Sequence, residues 1–261
     1  SNVATVQALV ESLALLEGVV EKTPDYAPAV AWRAIIRLTY YISSPSADHG
    51  GDPFELARAD IDRAKTLDPD LPELYHAEGL YYFTLAQMTN AGTLQQAINS
   101  YRKALEIRPS YSLARNDMAL ALSDSGDHQG AIRELQIALD HDPALIDANY
   151  NLITLLSQFG RVEEAQQAID RWSRIDATHK LLPLAKTNVM IQRGDLADAY
   201  NTITTAMRAS PEDVLIANTA RTVSVLLGEY RNLARFITPS TDEADVAQIK
   251  AQELLGAGGL K

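Results

Sequence analysis

The chain has 261 residues, 46% of them hydrophobic, so it can bury one large core or several small cores in series. It contains no cysteine, which excludes structural disulfides, thiolate catalysis and cysteine-ligated metal sites. Its formal charge of −11, from 34 acidic and 23 basic residues, disfavours nucleic acid and anionic lipid as partners. No apolar run approaches the ~20 residues that a membrane-spanning helix needs, and the opening residues lack the pattern of a signal peptide.

The first predicted element is an amphipathic helix over residues 3–22, whose apolar residues recur three and four positions apart. It closes with the phrase EKTPDY, and the later helix pairs end in the same way. We therefore expect it to be the second helix of a pair whose first helix lies upstream of Ser1. A face left uncovered on this helix would allow the protein to form a homo-oligomer.

Two helix pairs with long connections follow, over residues 25–69 and 70–109. They are longer than the pairs further along the chain, and we expect the additional residues in the loop of each pair, at 43–53 and 88–93. Loops of repeat proteins tolerate insertions and often carry binding sites. The plainer alternative is that these two loops are simply longer connections.

The next pairs, over residues 110–143, 144–177 and 178–211, repeat with a period of 34 residues. The period is carried by turn glycines and by the small or apolar residues that follow each glycine by five positions. These are Gly126, Gly160, Gly194 and Gly228, and Ala131, Ala165, Ala199 and Leu233. Because proline cannot continue a helix, the prolines that close the pairs mark the ends of their second helices. One pair cannot bury its apolar face alone, so the pairs must stack.

The chain is predicted to end with a degenerate repeat over residues 212–239 and a capping helix over residues 240–256. Ser240 and Glu243 have the spacing of a capping box at the start of that helix, and Gly256 would end it. Residues 1–261 therefore form one predicted domain.

This pattern resembles that of tetratricopeptide repeats. The resemblance implies an all-α fold, a right-handed superhelical solenoid of antiparallel helix pairs with about six repeats and a C-terminal capping helix. The chain departs from the family pattern at Pro183 and Arg221, where first helices prefer an aromatic or a small residue. The best matches are Gly79, Tyr82, Ala97, Tyr101, Ala104 and Pro109, then Ala119, Gly126, Ala131, Leu135, Ala138 and Pro143.

The resemblance also implies that first helices line a concave groove that binds a partner peptide or protein. At the inward-facing positions the side chains are apolar or neutral and polar, so amides could bond a peptide backbone while apolar residues form pockets. The predicted binding residues are His76, Leu80, Phe83, Asn116, Leu120, Tyr150, Thr154, Asn188 and Asn218. The alternative for Leu80, Phe83 and Leu120 is that they pack against neighbouring helices. The basic clamp with which one subclass holds the C-terminal carboxylate of chaperones is absent.

The sequence contains no recognisable catalytic constellation. Its five histidines form no metal-binding pair, and no phosphate-binding glycine loop or nucleophile motif occurs. The segment SADHGGDPFE lacks the acidic spacing of a calcium loop and is better explained as turn chemistry. We therefore expect no cofactor and no metal, and we regard an enzyme on a helical scaffold as the least favoured alternative.

Aromatic residues concentrate in the first helices of the two elongated repeats, which makes the N-terminal half the favoured partner site. They are Trp32, Tyr40, Tyr41, Tyr75, Tyr81, Tyr82 and Phe83. The order of features there resembles the C-terminal repeat domains of bacterial multidomain signalling proteins, such as adenylate cyclase-like enzymes and winged-helix regulators. The leading hypothesis is thus a non-catalytic interaction module, and the alternative is a standalone assembly factor of the envelope or secretion. We expect the bacterial cytoplasm, or the periplasm if an upstream targeting segment was removed.

Overall fold

The computed structural model describes residues 3–89, 93–228, 233–238, 241, 246, 249–250 and 252–253. In this part of the chain every regular element is helical, which confirms the predicted all-α fold class. The helices are α1 Val3–Lys22, α2 Ala27–Ser43, α3 Pro53–Leu67, α4 Pro72–Thr89, α5 Leu94–Ile107, α6 Ser112–Asp124, α7 His128–His141, α8 Ile146–Gln158, α9 Val162–Ile175, α10 Leu182–Arg193, α11 Leu196–Ala209 and α12 Val214–Leu226, with a short 3₁₀ helix at Leu233–Phe236.

The chain divides into two compact units, residues 1–148 and 149–261. Below, unit 1 and unit 2 denote these two ranges. From α2 onward the helices alternate between first helices (even numbers) and second helices (odd numbers) of successive pairs.

The 34-residue period has a conformational cause at the turns between first and second helices. Gly126, Gly160, Gly194 and Gly228 have φ angles of 91°, 69°, 83° and 74°, in the left-handed region that side chains with a Cβ avoid. Second helices begin on a different signal: the carboxylate of Asp127, for example, accepts a hydrogen bond from the Gly130 backbone N–H at 2.8 Å. At this turn the glycine and the acidic cap together set where α7 begins.

The two elongated repeats use their additional residues partly as helix. Helices α2 and α4 have 17 and 18 residues, against 13 in α6. The first predicted loop is found at residues 44–52, between α2 and α3. In the second, Met88 belongs to α4 rather than to the loop in which the sequence placed it, and residues 90–92 lie outside the described part. A longer helix pairs more of the backbone N–H and C=O groups of the added residues than a loop would.

Small residues allow the helices of a pair to pack closely. A Cβ at Gly79 would lie 2.5 Å from ring atoms of Tyr101, so α4 must carry a glycine where it crosses the fully buried tyrosine of α5. Burial raises the pKa of the Tyr101 phenol well above its ordinary value. In unit 2 the corresponding interior is mostly aliphatic, with Leu184, Ile203 and Ile216 among its residues and Phe236 as a buried aromatic.

Both ends of the chain are described only in part. Ser240, Glu243 and Gly256, on which the capping-box and helix-end predictions rest, lie outside the described residues. Of the predicted capping helix over residues 240–256, a few positions are described, and among them Ile249 is helical and fully buried.

Helix α1 leaves apolar side chains uncovered. Leu15 is 73% exposed, and Val10 and Val19 are also exposed. Homo-oligomerisation through this helix stays a prediction.

Candidate functional site

In unit 1 the first helices α4 and α6 are joined by two side-chain hydrogen bonds. Nε2 of His76 lies 2.7 Å from Oδ2 of Asp117, and the amide of Gln87 donates to the carboxylate of Asp124. Residues spaced three, four and seven apart share one side of a helix, so Phe83 lies on the same side as His76, and Leu120 on the same side as Asp117. We call the surface formed by His76, Phe83, Gln87, Asp117, Leu120 and Asp124 the α4–α6 face.

His76 is a positioning residue of this face. It is only 2% exposed, and its Nδ1 lies 2.9 Å from the hydroxyl oxygen of Tyr111. Because a carboxylate accepts hydrogen bonds, the His76 Nε2–H donates to Asp117, which leaves Nδ1 to accept the Tyr111 hydroxyl proton. Trp32 stands edge-on to the imidazole, with ring centroids 6.4 Å apart. The buried imidazole therefore fixes the orientation of Asp117.

Tyr111 in turn lies close to the charged side chains of Glu73 and Arg108. Burial raises the pKa of the Tyr111 phenol, and the nearby Glu73 carboxylate raises it further. The guanidinium of Arg108 lies 4.9 Å from the centre of the Tyr111 ring and donates a hydrogen bond of 2.7 Å to Glu73. The chain of contacts from Glu73 to Asp117 is thus built from side chains of α4 and α6 and from two residues of the loop between α5 and α6, Arg108 and Tyr111.

The predicted binding residues of unit 1 differ in exposure. Leu80 and Asn116 are buried, as is His76, whereas Phe83 and Leu120 are half-buried. The Asn116 amide donates to Oδ1 of Asp117 at 3.1 Å. Direct contact with a partner is therefore open to Phe83 and Leu120, while His76 and Asn116 are buried and contact Asp117. That these residues bind a partner stays a prediction.

The predicted binding residues of unit 2 are Tyr150, Thr154, Asn188 and Asn218, and all four are half-buried. Tyr150 packs against the aliphatic core of that unit. The hydroxyl oxygen of Thr154 is buried without a hydrogen-bond partner. Their proposed role is likewise a prediction.

Sequence reasoning missed three residues of the α4–α6 face: Gln87, Asp117 and Asp124. A signal was available, because Asp117 and Asp124 flank Leu120 at helical spacing and Gln87 follows Phe83 by one turn. Their importance arises from pairing across two helices, which no spacing along one helix reveals.

Some of the aromatic residues noted in the N-terminal half contact one another in a cluster beside the loop of residues 44–52. The Tyr41 ring centroid lies 5.5 Å from that of His49 and 5.3 Å from that of Phe54, and Phe54 lies 5.9 Å from Tyr81. The Tyr41 hydroxyl donates to the sulfur of Met88 at 3.0 Å. The cluster connects the two elongated repeats and is chiefly structural.

Polar residues of the same loop serve turns and caps. Oδ1 of Asp48 accepts the Gly50 backbone N–H at 2.9 Å, and Asp52 accepts the backbone N–H groups of Phe54 and Glu55. Across the part of the chain that the structure describes, no group of three or more histidine, aspartate or glutamate side chains could hold a metal ion. Nor does any helix in that part combine the length and apolar character needed to cross a membrane.

Comparison with known proteins agrees with this architecture. The tetratricopeptide repeat family matches residues 122–186. A solved tetratricopeptide repeat protein from Parabacteroides merdae superposes with a TM-score of 0.63 at 16% identity, covering 88% of this chain and 87% of that chain. The chain has the tetratricopeptide repeat fold.

Two further tetratricopeptide repeat structures are similar to this chain. One is PilW, a type IV pilus biogenesis factor, with a TM-score of 0.59 and 17% identity over 83% of this chain and 91% of that chain. The other is YrrB, which has an unusual peptide-binding site, with a TM-score of 0.50 and 17% identity over 78% of this chain and 96% of that chain. At this identity the likeness shows the fold alone, so the resemblance to signalling proteins stays a prediction.

Proposed function

We propose that this tetratricopeptide repeat chain is a non-catalytic interaction module that binds an extended peptide segment of a protein partner on the α4–α6 face. The observation that carries the proposal is the arrangement of Phe83 and Leu120. Both remain half-exposed on first helices, between polar side chains that are held in place by hydrogen bonds across the two helices.

The physical argument is preorganisation. A partner gains most from apolar anchors on a surface that does not have to be ordered when it binds. The buried contacts of His76 and Tyr111 hold α4 and α6 at a fixed separation before any partner arrives. The face therefore offers two apolar contacts together with polar groups for a peptide backbone.

The test is selection of peptides from a random nonapeptide library displayed on phage, with the full chain immobilised. We expect wild type to enrich a family of sequences. The selected peptides should bind Phe83→Ala and Leu120→Ala about tenfold or more weakly, because each substitution removes an apolar anchor.

The matched control is Leu15→Ala, since Leu15 is 73% exposed on α1 and lies outside the α4–α6 face. Circular dichroism checks that helicity is unchanged in all three variants. If the Leu15 variant lost as much peptide affinity, or if the Phe83 and Leu120 variants bound the peptides unchanged, the α4–α6 face would not be the binding site.

For the cellular setting we propose the partner-binding part of a larger bacterial signalling protein, with a standalone assembly factor as the alternative. The intact mass of the native protein in its source cells separates the two. A mass far above the 28.6 kDa of this chain favours the first setting, and a mass close to it favours the second.

A further inference from the structure

The arginines on the first helices of unit 1 are all directed towards other helices. Helices α2, α4 and α6 contain three arginines and no lysine: Arg33, Arg37 and Arg115. Arg33 donates to Asp60 of α3 at 2.9 Å, Arg37 donates to Glu17 of α1 at 3.0 Å, and Arg115 forms an ion pair with Glu134 of α7.

The carboxylates of the α4–α6 face are satisfied without a permanent cation. Asp117 accepts hydrogen bonds from His76 and Asn116, and Asp124 accepts one from Gln87. Among the described residues, neither carboxylate forms an ion pair with a lysine or an arginine. These hydrogen bonds orient each carboxylate, and no lysine or arginine among the described residues neutralises its charge. The face therefore presents two fixed negative charges.

The two charges are spaced for a short peptide. Asp117 and Asp124 are seven residues apart on α6, which is about 10.5 Å along the helix axis. Leu120 lies between them on the same side, and Phe83 and Gln87 line the opposite helix. A peptide in the extended polyproline II conformation has three residues per turn and a rise of about 3.1 Å per residue, so two side chains three positions apart lie on the same side, about 9.3 Å from each other.

We propose that the α4–α6 face selects an extended partner segment with two basic residues three positions apart and an apolar residue between them. The basic side chains pair with Asp117 and Asp124, and the apolar residue packs between Leu120 and Phe83. The assignment rests on the proposed function, because it names the chemistry of the partner that binds the same face. Asp117 is suited to this role since its side chain is 24% exposed while its orientation is fixed from within.

The first experiment is a nonapeptide phage library with one fixed central leucine, selected against the full chain at about pH 7.5 and low salt. We expect lysine or arginine to be enriched at two positions three residues apart. The double variant Asp117→Asn and Asp124→Asn should lose that enrichment, since asparagine removes the charge while its amide oxygen still accepts one hydrogen bond at each position. The control variant is Asp140→Asn, an exposed carboxylate of α7.

The second experiment measures the affinity of one selected peptide, and of the same peptide with both basic residues changed to glutamine. Each asparagine substitution should weaken the binding of the basic peptide about two- to fivefold at low salt, as exposed ion pairs do. Added salt should reduce the difference, and the glutamine peptide should bind wild type and variants alike.

The outcomes separate this inference from the proposed function. If wild type enriches peptides that depend on Phe83 but show no preference for basic residues, the partner chemistry is wrong and the binding face stands. If wild type enriches nothing, the binding face itself is wrong.

Discussion

The two units satisfy their buried polar groups in different ways. In unit 1 the buried polar groups include Asp60, Glu73 and His76. Asp60 pairs with a side chain of α2, and the other two pair with side chains of the loop between α5 and α6. In unit 2 the buried hydroxyls of Ser157, Thr187 and Ser224 instead donate to backbone carbonyls of their own helices, one turn back.

The difference teaches where a binding surface can be held rigid. A hydroxyl that bonds one turn back adds nothing to the orientation of two helices, whereas a bond between helices restricts both. The hydrogen bonds between α4 and α6 join two helices in this way, and the half-exposed Phe83 and Leu120 lie beside them. This contrast is the reason for assigning the proposed site to unit 1.

The largest effect should come from removing the apolar anchor of unit 2. Trp172 is 1% exposed, so Trp172→Ala should lower the free energy of unfolding by about 3–5 kcal/mol. Denaturant unfolding measures the loss, and hydrogen exchange should show it in α9 to α12. A loss below about 1 kcal/mol would mean that unit 2 does not depend on apolar burial.

A smaller effect should follow from crowding the closest helix contact of unit 1. Gly79→Ala places a Cβ 2.5 Å from the Tyr101 ring, which is enclosed and cannot move aside, so we expect a loss of about 2–3 kcal/mol. Gly18→Ala is the matched control, because a Cβ there meets nothing within 4 Å. If the two variants were equally stable, the glycine–tyrosine contact would not limit the packing of α4 on α5.

The smallest effect should come from weakening the buried ion pairs of Asp60 in unit 1. Asp60→Asn removes a buried charge that faces Arg33 and Arg37, and we expect a loss of about 1–2 kcal/mol. Asp62→Asn is the control, since Asp62 is exposed and pairs only with Arg58 one turn away on the same helix. Added salt should not raise the free energy of unfolding of the Asp60 variant. If both variants were equally stable, the ion pairs of Asp60 with Arg33 and Arg37 would orient the helices without stabilising them.

Much of the fold was predictable because it depends on local signals. The positive φ of Gly126 and its equivalents favours glycine, and proline interrupts a helix except in its first turn, where Pro53 and Pro72 stand. The helical part of the second insertion was not predictable in the same way. Nothing in the residues around Met88 shows that α4 continues there, because the continuation is supported by contacts such as that with the Tyr41 hydroxyl.

The sequence by itself determined the helix pairs and their 34-residue period, since both depend on residue types at fixed spacing along the chain. It also named Phe83 and Leu120. Only the tertiary structure decided that His76 is buried, that Asp117 and Asp124 are held without a cation, and that the arginines point elsewhere. The physical reason is that burial and charge pairing are properties of two or three helices brought together, and no single helix carries that information.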